Sequence, residues 1–316
     1  MKIIITLGTG NSGAGAVNDY LLSRNDFQNL FGKKEFRLVN DPDGIDELYN
    51  LLYYNFSVNG SAIKLNNFRD FTKNLFKSRY NKNNNIYNKN LIDLSEKFIN
   101  DISKINYNGA PRFYLDKMSK IEKIKFYFNR FFLKKNVKDI KLLNMALPCT
   151  EENFLKFSEE FINNIFRSYK FFDEKKNIAI EQGGNFLNPL SSTKYYGKDR
   201  KVILVTRNPK AIFWSMKRGN SFSYPGNNVE IFVDWYKEIM QKINKKEFNE
   251  IIKIKFENFF ENFKEESLKL CDQLGIDKNV NSDFDLNYTL KNLYKYRKNL
   301  SKYEIEYIDK NLGELN

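Results

Sequence analysis

Arg207 and Ser215 stand eight residues apart, at the end of the run Val202-Ile203-Leu204-Val205-Thr206 and inside a segment opened by Pro209. A guanidinium at a strand tip grips a phosphate bidentately, while a hydroxyl on the following helix donates from a second direction. Arg218 lies one helical turn beyond Ser215. The same residues would also serve as plain caps of a surface helix. The second cluster is Gly8-Thr9-Gly10-Asn11-Ser12-Gly13-Ala14-Gly15-Ala16. Such a run lets backbone N–H groups approach a phosphate at a helix N-terminus. Gly8, Gly10 and Gly13 satisfy GxGxxG, but no acidic residue ends a second strand at the offset of about twenty that a dinucleotide site needs, Asp41 coming too late. Gly8 and Gly13 also begin GxxxxGK[ST], yet Ala14 and Gly15 stand where the phosphate lysine and the magnesium hydroxyl belong, which excludes an ordinary P-loop kinase. A tight turn that binds nothing is the third reading.

The chain has no histidine. That removes the commonest general base and every Ser-His or Cys-His nucleophile, so proton transfer falls to carboxylate, Lys or Tyr. Glu35 leads a second strand candidate, Asp41 and Asp43 lie on the turn that closes it, and Glu181 directly follows a third. Ligands sit at the carboxyl ends of strands in open α/β sheets, so Asp41, Asp43 and Glu181 are candidate bases; a charged strand entrance at Glu35, an Asp-Pro-Asp-Gly turn or a helix cap explains the same residues. Gln182 and Asn185 could hydrogen-bond an acceptor. Lys64 reads as a solvated surface residue or as an orienting cation. Cys149 and Cys271 form no CxxC, so neither a zinc site of the usual spacing nor a disulfide framework is expected.

The elements that must position these groups alternate. Residues 2–7 read as a strand, Ala14–Leu22 as a helix, Phe36–Val39 as a second strand, and 178–180, 201–206 and 251–256 as three more. A helix from Phe263 to Leu274 is stopped by Gly275. Strands alternating with helices predict an α/β fold with a mainly parallel sheet flanked by helices. From about 46 to 175 the patterning is mostly helical, and the expectation is one domain over 1–316 with a large helical insertion there. The Asn-rich stretch 81–90 reads as a linker.

The segment around Arg207 resembles the 3′-phosphate-binding motif of sulfotransferases that use 3′-phosphoadenosine 5′-phosphosulfate (PAPS), a strand, RDPRD and a helix with Ser eight positions after the Arg. Asn208 and Lys210 stand where that family has Asp and Arg. Asn11-Ser12-Gly13-Ala14-Gly15-Ala16 resembles the family's 5′-phosphosulfate loop, [KR]SGTTW, with Asn11 for the basic residue and Ala14-Gly15 for the Thr pair. Ile254-Lys255-Phe256-Glu257-Asn258-Phe259 is similar to VRYEDL, and Lys295–Ser301 to RWRKxLS. Glu35-Phe36-Arg37 resembles the Glu-x-Arg of protein-tyrosine sulfotransferases, whose Glu is the base. The matches cover roughly the first 45 residues and those after about 178. The resemblance implies a P-loop NTPase-like fold and metal-free, in-line transfer of a sulfuryl group from PAPS. It further implies an acceptor hydroxyl, by default on a carbohydrate or glycan, as in polysaccharide biosynthesis, and adenosine 3′,5′-bisphosphate as product. It places Gly10, Asn11, Ser12, Gly13, Ala14, Gly15, Ala16, Arg207, Ser215 and Arg218 on the donor and Glu35, with Asp41 as second choice, as base.

With 316 residues, 41% hydrophobic and 29% charged, the chain is neither fibrous nor wholly disordered. Its formal charge of +13 suits an anionic ligand. No signature of a specific nucleic-acid reader is present. The opening apolar run breaks at Gly8 and no later stretch is long enough to span a bilayer, so a cytoplasmic location is expected. Lys117–Lys141 places Ile121, Ile124, Phe128 and Phe131 on one helical face among many lysines; this is a core helix with a solvated face, or a surface for an anionic membrane, a lipid-linked glycan or a polysaccharide. The alternative enzyme class is a Rossmann-type NAD(P)-dependent oxidoreductase or epimerase. Its short-chain branch needs Tyr-x-x-x-Lys, met only by Tyr294 and Lys298 near the C-terminus.

Overall fold

Ile3, Ile4, Ile5 and Leu7 are all buried, as a strand covered on both faces requires. They form β1 (Ile3–Gly8), which a glycine-rich loop joins to α1 (Ala14–Leu22). In chain order follow β2 (Phe27–Gln28), α2 (Ile45–Tyr53), α3 (Val58–Lys77), α4 (Arg79–Asn84), α5 (Asn90–Asp101), β3 (Ser103–Gly109), α6 (Lys120–Phe131), β4 (Leu143–Pro148) and α7 (Glu151–Arg167). Then come β5 (Asn177–Glu181), α8 (Pro189–Thr193), β6 (Lys201–Thr206), α9 (Pro209–Arg218), α10 (Val229–Asn244) and β7 (Ile251–Lys255). The chain ends in α11 (Phe256–Glu261), α12 (Phe263–Leu274), α13 (Leu286–Leu293), α14 (Tyr296–Asn299) and α15 (Lys302–Leu312). This computed structural model describes every residue except 33, 85, 110–115, 117, 133–142, 220–223, 245–249 and 314–316.

The chain divides into two compact units, Met1–Asn40 with Tyr169–Asn316, and Asp41–Ser168. The first is α/β. Its five strands run in the order β2-β5-β1-β6-β7, and every adjacent pair is parallel. The strand after the glycine loop is thus separated from β1 by β5. Dinucleotide-binding sheets place their first two strands side by side, so this order is the P-loop type instead. The register Thr6↔Glu181, Gly8↔Val205 and Thr206↔Lys255 brings the ends of β5, β1, β6 and β7 to one edge. Ile4, Ala179, Ile203, Val205 and Ile254 bury one sheet face against Val17, Phe259, Leu270 and their neighbours from α1, α11 and α12. The helix ending at Gly275 closes as its sequence requires, with Gly275 at φ 63°.

The second unit packs α3 and α5 with α7 and adds a two-stranded antiparallel sheet of β3 and β4, which helical periodicity alone did not announce. Two further expectations change. Phe36–Val39 is not a strand: Arg37–Asn40 form turns, and Phe36, Leu38 and Val39 are buried there. Three apolar residues in four pack equally well as a loop plug, here with Phe36 against Phe31 at 5.1 Å and its N–H donating to the Glu181 carbonyl at 3.2 Å. Nor is 81–90 a simple linker. Asn81 is buried, its amide donates to the Phe76 and Tyr87 carbonyls at 2.9 Å each, and Tyr87 donates back to its Oδ1 at 2.6 Å, so Asn side chains supply what solvent would have. Residue 85 of that stretch, and Lys117, Lys134 and Lys135 of the lysine-rich segment, lie outside the described residues.

Candidate functional site

The loop between β1 and α1 turns on Gly13. It caps α1 at φ 91°, and a side chain there would meet the Phe256 ring at 2.3 Å. Asn11 also sits in the left-handed region at φ 65°, a position Asn tolerates better than most residues. Ser12 donates its N–H to the Thr9 carbonyl at 3.0 Å, while its hydroxyl is buried with no hydrogen-bond partner. The N–H groups of Ala14 and Gly15 open α1, and the Gly13 carbonyl already accepts the Ala16 N–H at 3.0 Å and the Val17 N–H at 3.3 Å. The Tyr224 ring lies against Gly10, where an added Cβ would be 2.4 Å from it.

Arg207, at the tip of β6, reaches back to this loop and donates from Nη1 to the Asn11 carbonyl at 3.1 Å. Its guanidinium lies 4.6 Å from the centroid of Phe256, the ring that packs on Gly13. Its Nε makes no hydrogen bond; the Glu257 carboxylate is 3.9 Å away. Burial, with the like charge of Arg218 adding to it and Glu257 opposing, pulls the Arg207 pKa down. Arg218 stacks on Trp214 at 4.8 Å, and Ser215 is one turn before it on α9. A cavity of about 600 Å³ opens on Arg207, lined also by Tyr236, Lys255, Glu257, Tyr296 and Arg297. Another, of about 580 Å³, lies at the opposite edge of the sheet, by Lys201 and Glu250.

Asn208 departs from Asp in the resembled motif, and the structure shows what it does. Its side chain accepts from the Lys210 N–H at 2.9 Å and caps α9, whose first position is Pro209. Its own N–H donates to Glu257, 3.2 Å from Oε1, which ties β6 to the segment after β7. Burial raises the Glu257 pKa, partly offset by hydrogen bonds from its own N–H and that of Asn208.

Glu181 stands beside Thr6 at the end of β5, and its carboxylate lies against Gly15, where an added Cβ would be 2.6 Å from Oε1. Burial pushes its carboxyl up to about 7, with the charges of Glu35 and Asp19 adding and Lys34 opposing. The chain leaves β5 sharply. Gln182 takes φ 51°, its N–H bonded to the Thr6 carbonyl at 2.9 Å and its amide donating to the Gly8 carbonyl at 3.2 Å. Backbone strain of this kind gathers where a side chain must be aimed. Glu35 is exposed and acts on Glu181 and on Tyr224 through its charge; burial is the larger cause of the raised Tyr224 pKa.

The first unit therefore brings together Gly10, Asn11, Ser12, Gly13, Ala14, Gly15, Ala16 and Arg207, with Arg218, Glu181 and Glu35 within electrostatic reach. Asp41 belongs to the second unit, where its carbonyl accepts the Gly44 N–H at 2.9 Å in the turn before α2. The strand that was to present Asp41 at the sheet edge does not form. Asp43 is held below the usual carboxylate range because, despite burial, Lys64 at 2.8 Å and Asn67 at 3.0 Å hydrogen-bond it. Lys64 is thereby a structural ion-pair partner, shared with Glu47 at 2.5 Å. Phe256, Tyr224 and Glu257 escaped sequence reasoning as parts of the site. Only Phe256 and Glu257 carried a signal, as neighbours in the VRYEDL-like run.

No family model matches this chain, and no curated protein matches it. Among solved structures, the sulfotransferase domain from the Synechococcus PCC 7002 olefin synthase is 11% identical, over 99% of this chain and 94% of that one, at a TM-score of 0.38. Sulfotransferase STF1 from Mycobacterium tuberculosis H37Rv is 10% identical, over 99% of this chain and 76% of that one, at a TM-score of 0.37. Both scores lie below 0.5, so what the chain does rests on its own residues.

Proposed function

We propose that the protein transfers a sulfuryl group from PAPS to an acceptor hydroxyl, of carbohydrate or glycan type, with Glu181 as the general base. The observation that carries this reading is the clasp of Arg207 on the Asn11 carbonyl, in the same loop as a buried Ser12 hydroxyl that has no hydrogen-bond partner. Both suit an anionic donor: the loop N–H groups and Ser12 would take the 5′-phosphosulfate, and Arg207, Ser215 and Arg218 the 3′-phosphate. Ala14 and Gly15 supply neither the lysine nor the hydroxyl of metal-assisted phosphoryl transfer. A sulfuryl group carries less charge than a phosphoryl group and needs neither.

In the reaction the acceptor oxygen bonds to sulfur as its proton passes to the Glu181 carboxylate, and the sulfur–oxygen bond to the 5′-phosphate breaks, its electron pair leaving on the phosphate. A carboxyl poised at about 7 is matched to that task near neutral pH. Glu35 tunes it by charge and is the second choice as base. The oxidoreductase reading finds no support. The residue ending β2, where a ribose-binding acid belongs, is Gln28, buried and bonded to the Asp173 and Lys176 carbonyls at 2.8 and 3.1 Å. The Tyr294 hydroxyl meanwhile donates to Glu261. Incubation with sulfur-labelled PAPS and a panel of glycan and phenolic acceptors tests the proposal. Label should appear on a hydroxyl acceptor with the wild type and not with Glu181→Gln. Equal labelling by the two proteins would remove Glu181 from the mechanism, and no labelling with any acceptor would remove the transfer.

A further inference from the structure

Helix α6 presents its apolar face outward. A capping box starts it, with the Ser119 side chain accepting from the Glu122 N–H and the Glu122 carboxylate from the Ser119 N–H at 2.9 Å. Ile121, Ile124, Phe128 and Phe131 recur at spacings of three and four, so they share one side of the helix. All four are exposed, Ile124 by 68% and Phe131 by 65%. Tyr127 stacks on Phe131 at 6.1 Å and Phe132 on Phe128 at 5.3 Å, which widens the same arc to six large side chains. Among the described side chains of α6 the buried one is Phe126, on the other side of the helix and only 5% exposed. The core-helix expectation for this segment is overturned: the face meant for the interior is the one in water.

Single exposed apolar side chains are ordinary, but six on one helical arc mark a surface built to be covered. Its rim says by what. Lys120 lies within the arc's edge and Lys123 and Lys125 flank it on either side, while Glu122 is turned back to Ser119 at the helix start. An apolar band edged by lysines complements a layer that is acidic outside and hydrocarbon within. A second copy of the same face would set lysine rims against each other, which like-charge repulsion opposes. We propose that α6 docks the protein on an anionic lipid bilayer, lying in the interface plane with Ile121, Ile124, Phe128 and Phe131 at the acyl boundary and the lysines at headgroup phosphates. The inference is independent of the catalytic reading, since it rests on the second unit alone.

Flotation with vesicles of phosphatidylcholine containing about one-third phosphatidylserine, in about 0.1 M salt, tests it. The full chain should float with these vesicles and much less with pure phosphatidylcholine. Ile124→Gln combined with Phe131→Gln should weaken partitioning about tenfold or more, because two anchoring side chains are lost from the interface. Lys120→Glu with Lys125→Glu should abolish the preference for anionic vesicles. All four positions are exposed, so thermal unfolding of both variants should match the wild type. Equal flotation of wild type and the Gln variant would overturn the proposal. So would a wild type that does not float but dimerises in sedimentation, with the dimer lost on the same substitutions.

Discussion

Replacing Glu181 by Gln reads the site through stability and turnover together. In the folded chain the carboxyl keeps its proton up to about 7, against an ordinary value of 4.5, because it is sunk beside Gly15 with Glu35 and Asp19 nearby. In the unfolded chain it ionises at the ordinary value. A group whose folded value is raised holds its proton more tightly in the native state. Its ionisation therefore weakens the fold progressively as pH rises from the unfolded to the folded value, and the full cost is present above both. At about 1.4 kcal/mol per pH unit the displacement amounts to about 3 kcal/mol, and the part of the side chain that still reaches water lowers this to roughly 2. Glu181→Gln removes that cost while keeping the shape. Urea unfolding should show the variant more stable than the wild type by about 2 kcal/mol near pH 8.5 and by about 1 kcal/mol or less near pH 5. Turnover should meanwhile fall about a hundredfold or more. A stability difference that does not grow with pH would refute the buried, raised carboxyl, and with it the argument for this base.

Arg207→Ala removes a charge-assisted contact worth about 2 kcal/mol or more, so titration should show adenosine 3′,5′-bisphosphate binding weakened about thirtyfold. Glu35→Gln withdraws a negative neighbour from Glu181; the acid limb of the pH–rate profile should move to lower pH, with turnover retained. Gly15→Ala puts a Cβ 2.6 Å from Glu181 Oε1 within α1, so circular dichroism should show the fold kept while turnover drops about tenfold or more. Phe36→Ala empties a fully buried site and should cost about 3–5 kcal/mol in urea unfolding, as a packed plug would and a surface strand would not.

The strands at 3–8, 177–181 and 201–206 were legible because each is a short apolar run ended by a glycine or a charged residue, and burial on both faces suppresses alternation; 251–255 was legible as isoleucines interleaved with exposed lysines. The Arg207 clasp was legible only as a spacing. That the guanidinium would close on the Asn11 carbonyl is a tertiary contact between residues 196 positions apart, and no local pattern encodes it. The weight moved from Glu35 and Asp41 to Glu181 for a similar reason. Sequence places a carboxylate near a strand end, but what raises its pKa is burial against Gly15 and two other carboxylates that arrive from α1 and from the segment around Glu35. The segment 36–39 misled because three buried apolar residues in four fit a strand and a plugged turn equally. In α6, periodicity gave the apolar face correctly and could not say which way it pointed.

Isothermal titration with adenosine 3′,5′-bisphosphate addresses the proposed anion site at the glycine loop without knowledge of the acceptor. Binding at one site per chain, tighter than that of AMP or NADP⁺ and weakened about thirtyfold in Arg207→Ala, is the predicted result. No heat of binding from the bisphosphate, or tighter binding of NADP⁺ than of the bisphosphate, would contradict it.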